Sequence, residues 1–186
     1  IGKYSAQQKA DERHPMESTE ALRVFSKAGI DPFDEIKWEE RTAEITDEKN
    51  EVIFRQTGVL VPEFWSALAT KVVVSKYFYG EQGASECENS VRQLIHRVCR
   101  TIADWGVKDG YFSKEAGDVF YAELVWLCVN QYGAFNSPVW FNVGLHPVYG
   151  VGSNSTRGNW RYNPKTQTSE RAATQYENPQ CSACFI

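Results

Sequence analysis

The amino-acid sequence predicts a mainly α-helical chain carrying one small β hairpin, and three observations predict it. Two apolar stripes at helical spacing each follow a serine placed to cap a helix, Ser90 and Ser113. A third apolar run at that spacing follows Pro62. Ahead of these, the segment Thr42 to Val61 divides into short β-prone runs on either side of the turn-like Asp47-Glu-Lys-Asn50.

Residues 1–37 read as a mobile N-terminal arm. They are polar and charged, Pro15 and Gly29 interrupt them, and Leu22, Val24 and Phe25 are too few for a firm helix. Residues 38–135 read as a helical region with a small β element. Its hairpin, or pair of short strands, comes from Thr42–Thr46, Val52–Phe54 and Val59–Val61. Pro62 fits the first position of a helix with Glu63 near the positive end of its dipole. Phe64, Trp65, Leu68, Val72 and Tyr79 recur at helical spacing until Gly80 and Gly83 close the run. Ser90 with Gln93 makes a capping-box pattern, and Val91, Leu94, Ile95, Val98, Ile102 and Trp105 form one stripe that ends at Gly106 and Gly110. Ser113 caps a third helix to about Gln131, whose wide apolar surface suits packing on more than one side.

After Gln131 the chain is loop-like but aromatic. Pro138 lacks an N–H and disfavours helix at Ser137, so Asn136 and Ser137 are expected in an extended or turn conformation, their side chains free to meet a ligand. Residues 150–178 read as a long polar loop with room for a short hairpin around Asn163-Pro-Lys-Thr166.

With 42% hydrophobic residues in 186, the chain has enough apolar surface for a core of its own. The first 60 residues hold 13 acidic and 9 basic side chains, and the remainder 11 of each. No basic stripe suits duplex nucleic acid, and no apolar run approaches the ~20 residues of a membrane span. A cytoplasmic protein that engages neither is expected, with Cys99 and Cys128 as reduced, buried thiols inside the helical patterns.

The chain ends on Cys181-Ser-Ala-Cys184-Phe-Ile186 without a turn signal, as if cut inside an element. The two-residue gap between the thiols fits zinc knuckles and redox pairs alike. A zinc site needs four ligands, however, and His14, His96 and His146 are scattered. Two unrelated cysteines, one structural and one functional, is the preferred reading. His96 falls on the flank of its helix as a solvated residue, and the run Glu35, Glu39, Glu40, Glu44, Asp47 and Glu48 as a solvated face.

Four motifs stand in collinear order: Pro62-Glu-Phe-Trp65 with Lys76-Tyr-Phe78, Trp105-Gly106 to Gly110-Tyr-Phe112, Asn136-Ser-Pro-Val-Trp-Phe-Asn142 with Gly144, and Pro179-Gln-Cys-Ser-Ala-Cys-Phe-Ile186. From about Trp38 to Ile186 they resemble the N-terminal part of adenosylcobalamin-dependent (class II) ribonucleotide reductases. Asn136-Ser-Pro and Ala183-Cys-Phe carry the most specific part of the likeness.

The resemblance implies a helical N-terminal part of a ten-stranded α/β barrel, with residues 136–186 as a substrate-site loop and the opening of the first barrel strand. Cys184 would be the substrate-reducing cysteine, its partner on a later strand absent from this chain. Ala183 and Cys184 would lie against the nucleotide, Ser137 would contact the ribose, and Cys181 would be a bystander. The full protein would reduce ribonucleoside diphosphates by thiyl-radical chemistry that adenosylcobalamin initiates, most of the cofactor site lying outside this chain. It would take deoxynucleotide or ATP effectors and a thioredoxin-like reductant and act as a homodimer, and the 186 residues alone would be inactive. No resident metal ion is expected. The competing reading is a helical interaction module that holds zinc or a partner chain through its C-terminal thiols.

Overall fold

The computed structural model describes residues 20–152, 160–163, 166–172 and 174–183. A 3₁₀ turn, Pro32–Glu35, leads into strands β1 (Trp38–Thr46) and β2 (Val52–Pro62). Helices α1 (Ala67–Tyr77), α2 (Val91–Lys108) and α3 (Lys114–Val129) follow, then the short α4 (Ser137–Asn142) and α5 (Leu145–Tyr149). Strands β3 (Trp160–Asn163) and β4 (Thr168–Arg171) complete the order.

β1 and β2 form one antiparallel hairpin with Trp38 opposite Pro62 and Thr46 opposite Val52. Its turn is set by Asp47, whose Oδ1 accepts from the N–H of Lys49 at 2.8 Å and of Glu51 at 2.9 Å. Ala43, Val59 and Val61 face inward and are fully buried beneath the helices. Arg41 ties the hairpin to the start of α1, donating to the Glu63 carbonyl at 2.7 Å and to Thr70 Oγ1 at 2.9 Å.

The start of α1 departs from the sequence reading. Pro62 ends β2, where a missing donor costs little, and the helix begins after Ser66, whose Oγ accepts from the Ala69 N–H at 3.0 Å. Phe64, Leu68 and Val72 are consequently exposed, and Thr70 and Val74 form the inward face. α2 and α3 keep the expected caps. Ser90 Oγ accepts from Arg92 N–H at 3.1 Å, Gln93 Oε1 accepts from Asn89 N–H at 2.8 Å, and Ser113 Oγ accepts from Ala116 N–H at 3.1 Å. Val91, Leu94, Ile95 and Val98 are buried against Val125, Cys128 and Val129 of α3. The Trp65 indole closes this core by donating to the Val129 carbonyl at 2.8 Å.

The expectation of a mainly α chain opening into a ten-stranded barrel is corrected. The described residues are mixed α and β, with two separate two-stranded antiparallel sheets among them, β1-β2 and β3-β4. Both are local hairpins, whereas a parallel barrel strand needs a crossover and a neighbour to pair with. Residues 181–183 form no strand, and the carbonyl of Cys181 is satisfied by a side chain instead of a ladder. Residues 184–186 lie outside the described residues.

Residues 20–37, read from sequence as part of a mobile arm, are held down. The Glu123 carboxylate on α3 accepts from the backbone N–H groups of Val24 (3.1 Å), Phe25 (2.9 Å) and Ser26 (2.8 Å), and from Ser26 Oγ. Phe25 stacks on Trp126 with ring centroids 4.9 Å apart, and Phe33 is buried. Sequence periodicity could not expose this, because the partner carboxylate stands nearly a hundred residues away.

The polar centre of the fold is the ion pair of Arg97 and Glu88, with side chains 1% and 0% exposed. Glu88 Oε1 accepts from Arg97 Nε at 2.8 Å and from the Tyr149 hydroxyl at 3.0 Å, while Oε2 accepts from the Tyr79 N–H at 2.9 Å. Burial, and then the Glu88 carboxylate itself, push the Tyr149 phenol up, so it stays a donor. Arg97 Nη1 donates to the Val143 carbonyl at 2.6 Å and Nη2 to that of Trp140 at 3.2 Å. Gly144 takes a left-handed φ of +84°, and a Cβ there would stand 2.5 Å from Arg97 Cγ.

Arg97→Met is expected to lower stability by about 3–5 kcal/mol, because it strands a buried carboxylate. Urea unfolding measures it; an unchanged midpoint would mean that water reaches Glu88. A second expectation concerns pH. Burial alone would raise the Glu123 carboxyl, but the hydrogen bonds from Ser26 and the backbone of residues 24–26 outweigh it and hold the group below the usual glutamate value. A depressed folded value stabilises the attachment above the unfolded value, near about 4.3, and the gain is lost as pH falls through the folded value. The protection of the Val24, Phe25 and Ser26 amides against hydrogen exchange, taken relative to the intrinsic rate at each pH, should fall on acidification below that range, and at neutral pH in Glu123→Gln. Protection indifferent to both changes would refute the attachment.

Candidate functional site

α4 starts where the sequence reading placed an open loop. Asn136 is its N-cap, with extended backbone (φ −67°, ψ 161°), and its Oδ1 accepts from the Val139 N–H at 3.2 Å. Pro138 falls in the first turn, where a missing N–H costs nothing, so the cap outweighs the pre-proline bias against helix and Ser137 becomes the first helical residue. The signal was present in the sequence, since Asn-Ser-Pro is also the pattern of a capped helix start.

Neither side chain is free. The other end of the Asn136 amide, Nδ2, donates to the carbonyl of Cys181 at 3.0 Å. One asparagine therefore starts α4 and holds the C-terminal thiol motif against it; aspartate could do the first but has no donor for the second. Ser137 is half-buried, and its Oγ shares a 3.1 Å hydrogen bond with the hydroxyl of Tyr77, the last residue of α1. The Tyr77 ring lies against Trp140 and Phe141, with centroids 6.4 and 5.3 Å away. Sequence reasoning gave Tyr77 no role.

Cys181 is half-buried, and its Sγ donates to the Pro179 carbonyl at 3.4 Å. Burial pushes this thiol up, so at neutral pH it is protonated and a poor nucleophile. Ala183 is exposed, two residues beyond the carbonyl that Asn136 holds. Cys184 lies outside the described residues. The structure thus brings Asn136, Ser137 and Tyr77 together with the segment that leads to Cys184.

Behind Tyr77 lies an apolar cavity of about 400 Å³, lined among others by Trp65, Ile95, Cys128, Phe135 and Trp140. Cys128 and Cys99 are free, buried thiols on facing helices; contact with Cys128 and burial both push Cys99 up. His96 borders a second cavity of about 490 Å³. Burial and then the neighbouring Arg100 push its imidazole down, and the Tyr121 hydroxyl lies 2.7 Å from its Nδ1. A neutral Nδ1 accepts that proton, since burial keeps the phenol protonated. His146 Nδ1 stands 3.1 Å from the Val151 carbonyl, which requires the ring proton on Nδ1. Three members of the acidic run form ion pairs: Glu35 with Lys27, Glu39 with Arg41 and Glu44 with Arg55. Among the described residues, no three His, Cys, Asp or Glu side chains gather as metal ligands.

Comparison with known proteins bears on the same segments. A family model described as class II vitamin B12-dependent ribonucleotide reductase matches residues 39–86 and 79–131, together half of the chain. The vitamin B12-dependent ribonucleotide reductase of Rhodopirellula baltica is 53% identical over 160 residues, covering 85% of this chain and 15% of that protein. The protein of the same name from Streptomyces coelicolor is 43% identical over 124 residues, covering 66% of this chain and 13% of its own length. That of Agrobacterium fabrum is 31% identical over 198 residues, covering 88% of this chain and 16% of its own. The chain thus spans about a seventh of the length of the curated relatives it matches. Through a family match over half its length, and identities as high as 53%, the chain belongs to the class II vitamin B12-dependent ribonucleotide reductase family, as its N-terminal portion.

Proposed function

We propose that this chain is part of an enzyme that reduces ribonucleoside diphosphates to deoxyribonucleotides, with adenosylcobalamin as radical initiator and a cysteine pair as reductant. The observation that carries the reading is the 3.0 Å bond from Asn136 Nδ2 to the Cys181 carbonyl. It ties the Asn136-Ser-Pro segment to the C-terminal segment 45 residues on, which supports the reading that the first supplies a hydroxyl for the ribose and the second a thiol.

In net terms the C2′–O bond breaks and a C2′–H bond forms: two thiols close to a disulfide, one of their protons leaving with the hydroxyl as water and the other, with the electron pair, going to C2′. Cys184 is one of those thiols, and the remainder of the full protein supplies the other. A thioredoxin-like dithiol then restores the pair by exchange. Ser137 binds a ribose hydroxyl, and Ala183 lies beside the nucleotide. Cys181 stands outside the pair in this reading, and its half-buried thiol, raised by burial and donating to the Pro179 carbonyl, supports that assignment.

Neither of the two cavities described above encloses a whole corrinoid. Their cavities of about 400 and 490 Å³ belong to the range of about 300–1,000 Å³ that holds drug-sized ligands, and a corrin with its side chains is larger. We assign most of the cofactor site to the rest of the full protein.

In the full-length holoenzyme, Cys184→Ser is expected to abolish deoxynucleotide formation and Cys181→Ser to leave most of it, measured with a ribonucleoside diphosphate and a dithiol reductant. Equal loss from both would overturn the division of roles. Asn136→Asp keeps the helix cap but replaces the donor with a carboxylate facing the Cys181 carbonyl. It should lower turnover roughly tenfold or more while circular dichroism stays unchanged, at a cost of the order of 1–3 kcal/mol for an unsatisfied contact. Wild-type turnover in Asn136→Asp would mean that the two motifs need not be tied together.

A further inference from the structure

We propose that Tyr77 is a positioning residue that holds the Ser137 hydroxyl in one orientation for the substrate. The proposal rests on the reading of Ser137 as a ribose contact. A serine hydroxyl has three staggered wells at χ1 and a freely turning hydrogen, so an isolated one must be ordered each time a ligand binds. Ser137 is not isolated, because the Tyr77 hydroxyl lies 3.1 Å from its Oγ. A phenol is more acidic than an alkanol and so the better donor of the two. With Tyr77 donating, one lone pair of Ser137 is occupied and its own hydrogen is left to point at a ligand. The serine O–H is also polarised by the bond it accepts, which strengthens its donation.

Tyr77 has the rigidity that this role needs. It is the last residue of α1, its ring lies against Trp140 and Phe141, and its carbonyl lies 3.5 Å from Nη2 of the buried Arg97. α1 also packs against α4 itself. The hydrogen-bond partner of this half-buried phenol is a side chain on the candidate site, where a tyrosine present only for packing would be satisfied by any backbone carbonyl.

The experiment is steady-state kinetics on the full-length holoenzyme with a ribonucleoside diphosphate, for Tyr77→Phe, Ser137→Ala and the double variant. Tyr77→Phe keeps the ring and removes only the hydroxyl. It should lower kcat/KM roughly threefold to tenfold, mostly through KM, with the urea unfolding midpoint unchanged. The double variant should be no worse than Ser137→Ala alone, because the hydroxyl then has nothing left to orient. Additive losses, or an unimpaired Tyr77→Phe beside an impaired Ser137→Ala, would overturn the proposal. So would a loss in Tyr77→Phe that tracks a lowered midpoint. Normal turnover of Ser137→Ala would instead overturn the substrate reading of Ser137, and this proposal with it.

Discussion

The fold is organised around one buried ion pair. Removing Arg97 and Glu88 from water costs several kcal/mol per ion, and only a full set of partners offsets it. Those partners are the Tyr79 N–H, the Tyr149 hydroxyl and the carbonyls of Val143 and Trp140. They belong to the segment after α1, to α4 and its exit, and to α5, so the pair can be satisfied only when these pieces stand in one arrangement. The ion pair therefore specifies geometry more than it adds stability. Gly144 shows how tight the arrangement is, since a methyl group there would collide with the arginine stem.

The candidate site inherits its placement from this centre. The carbonyls that Arg97 holds lie within and just after α4, the helix whose first residue is Ser137. Tyr77, at the end of α1, reaches Ser137 from the other side, and Asn136 reaches out to the C-terminal motif. A short helix of six residues has no stability of its own. Its position comes from Arg97 beneath it, the aromatic rings of Tyr77 and Phe135 around Trp140, and the cap at its start. The attachment of residues 24–26 to Glu123 and Trp126 adds an outer layer to the same helical core.

Legibility followed the range of the interactions. Ser90 and Ser113 were readable as caps because a cap and its helix are neighbours in sequence, and the Asp47 turn was readable for the same reason. Pro62 was ambiguous because proline suits both a strand end and a helix start, and the register of β2 with Trp38 decided between them. That shift of the helix start turned Leu68 and Val72 outward. The barrel strand expected at the C-terminal motif came from a resemblance, not from a local signal, and among the described residues no strand pairs with 181–183.

By itself the sequence determined the family, the caps of the two long helices, the first hairpin, and the two motifs on which the site is built. Each is carried by residues close together in the chain or by the order of short motifs. Only the tertiary structure decided that Arg97, beside an apolar stripe and by default a surface residue, is buried with Glu88. It also decided that Asn136 and Ser137, read as free to meet a ligand, are bonded to Cys181 and Tyr77 across 45 and 60 residues. Charge and polarity along the chain state what a side chain can bond to; which partner it meets depends on how the packed helices bring distant segments into reach.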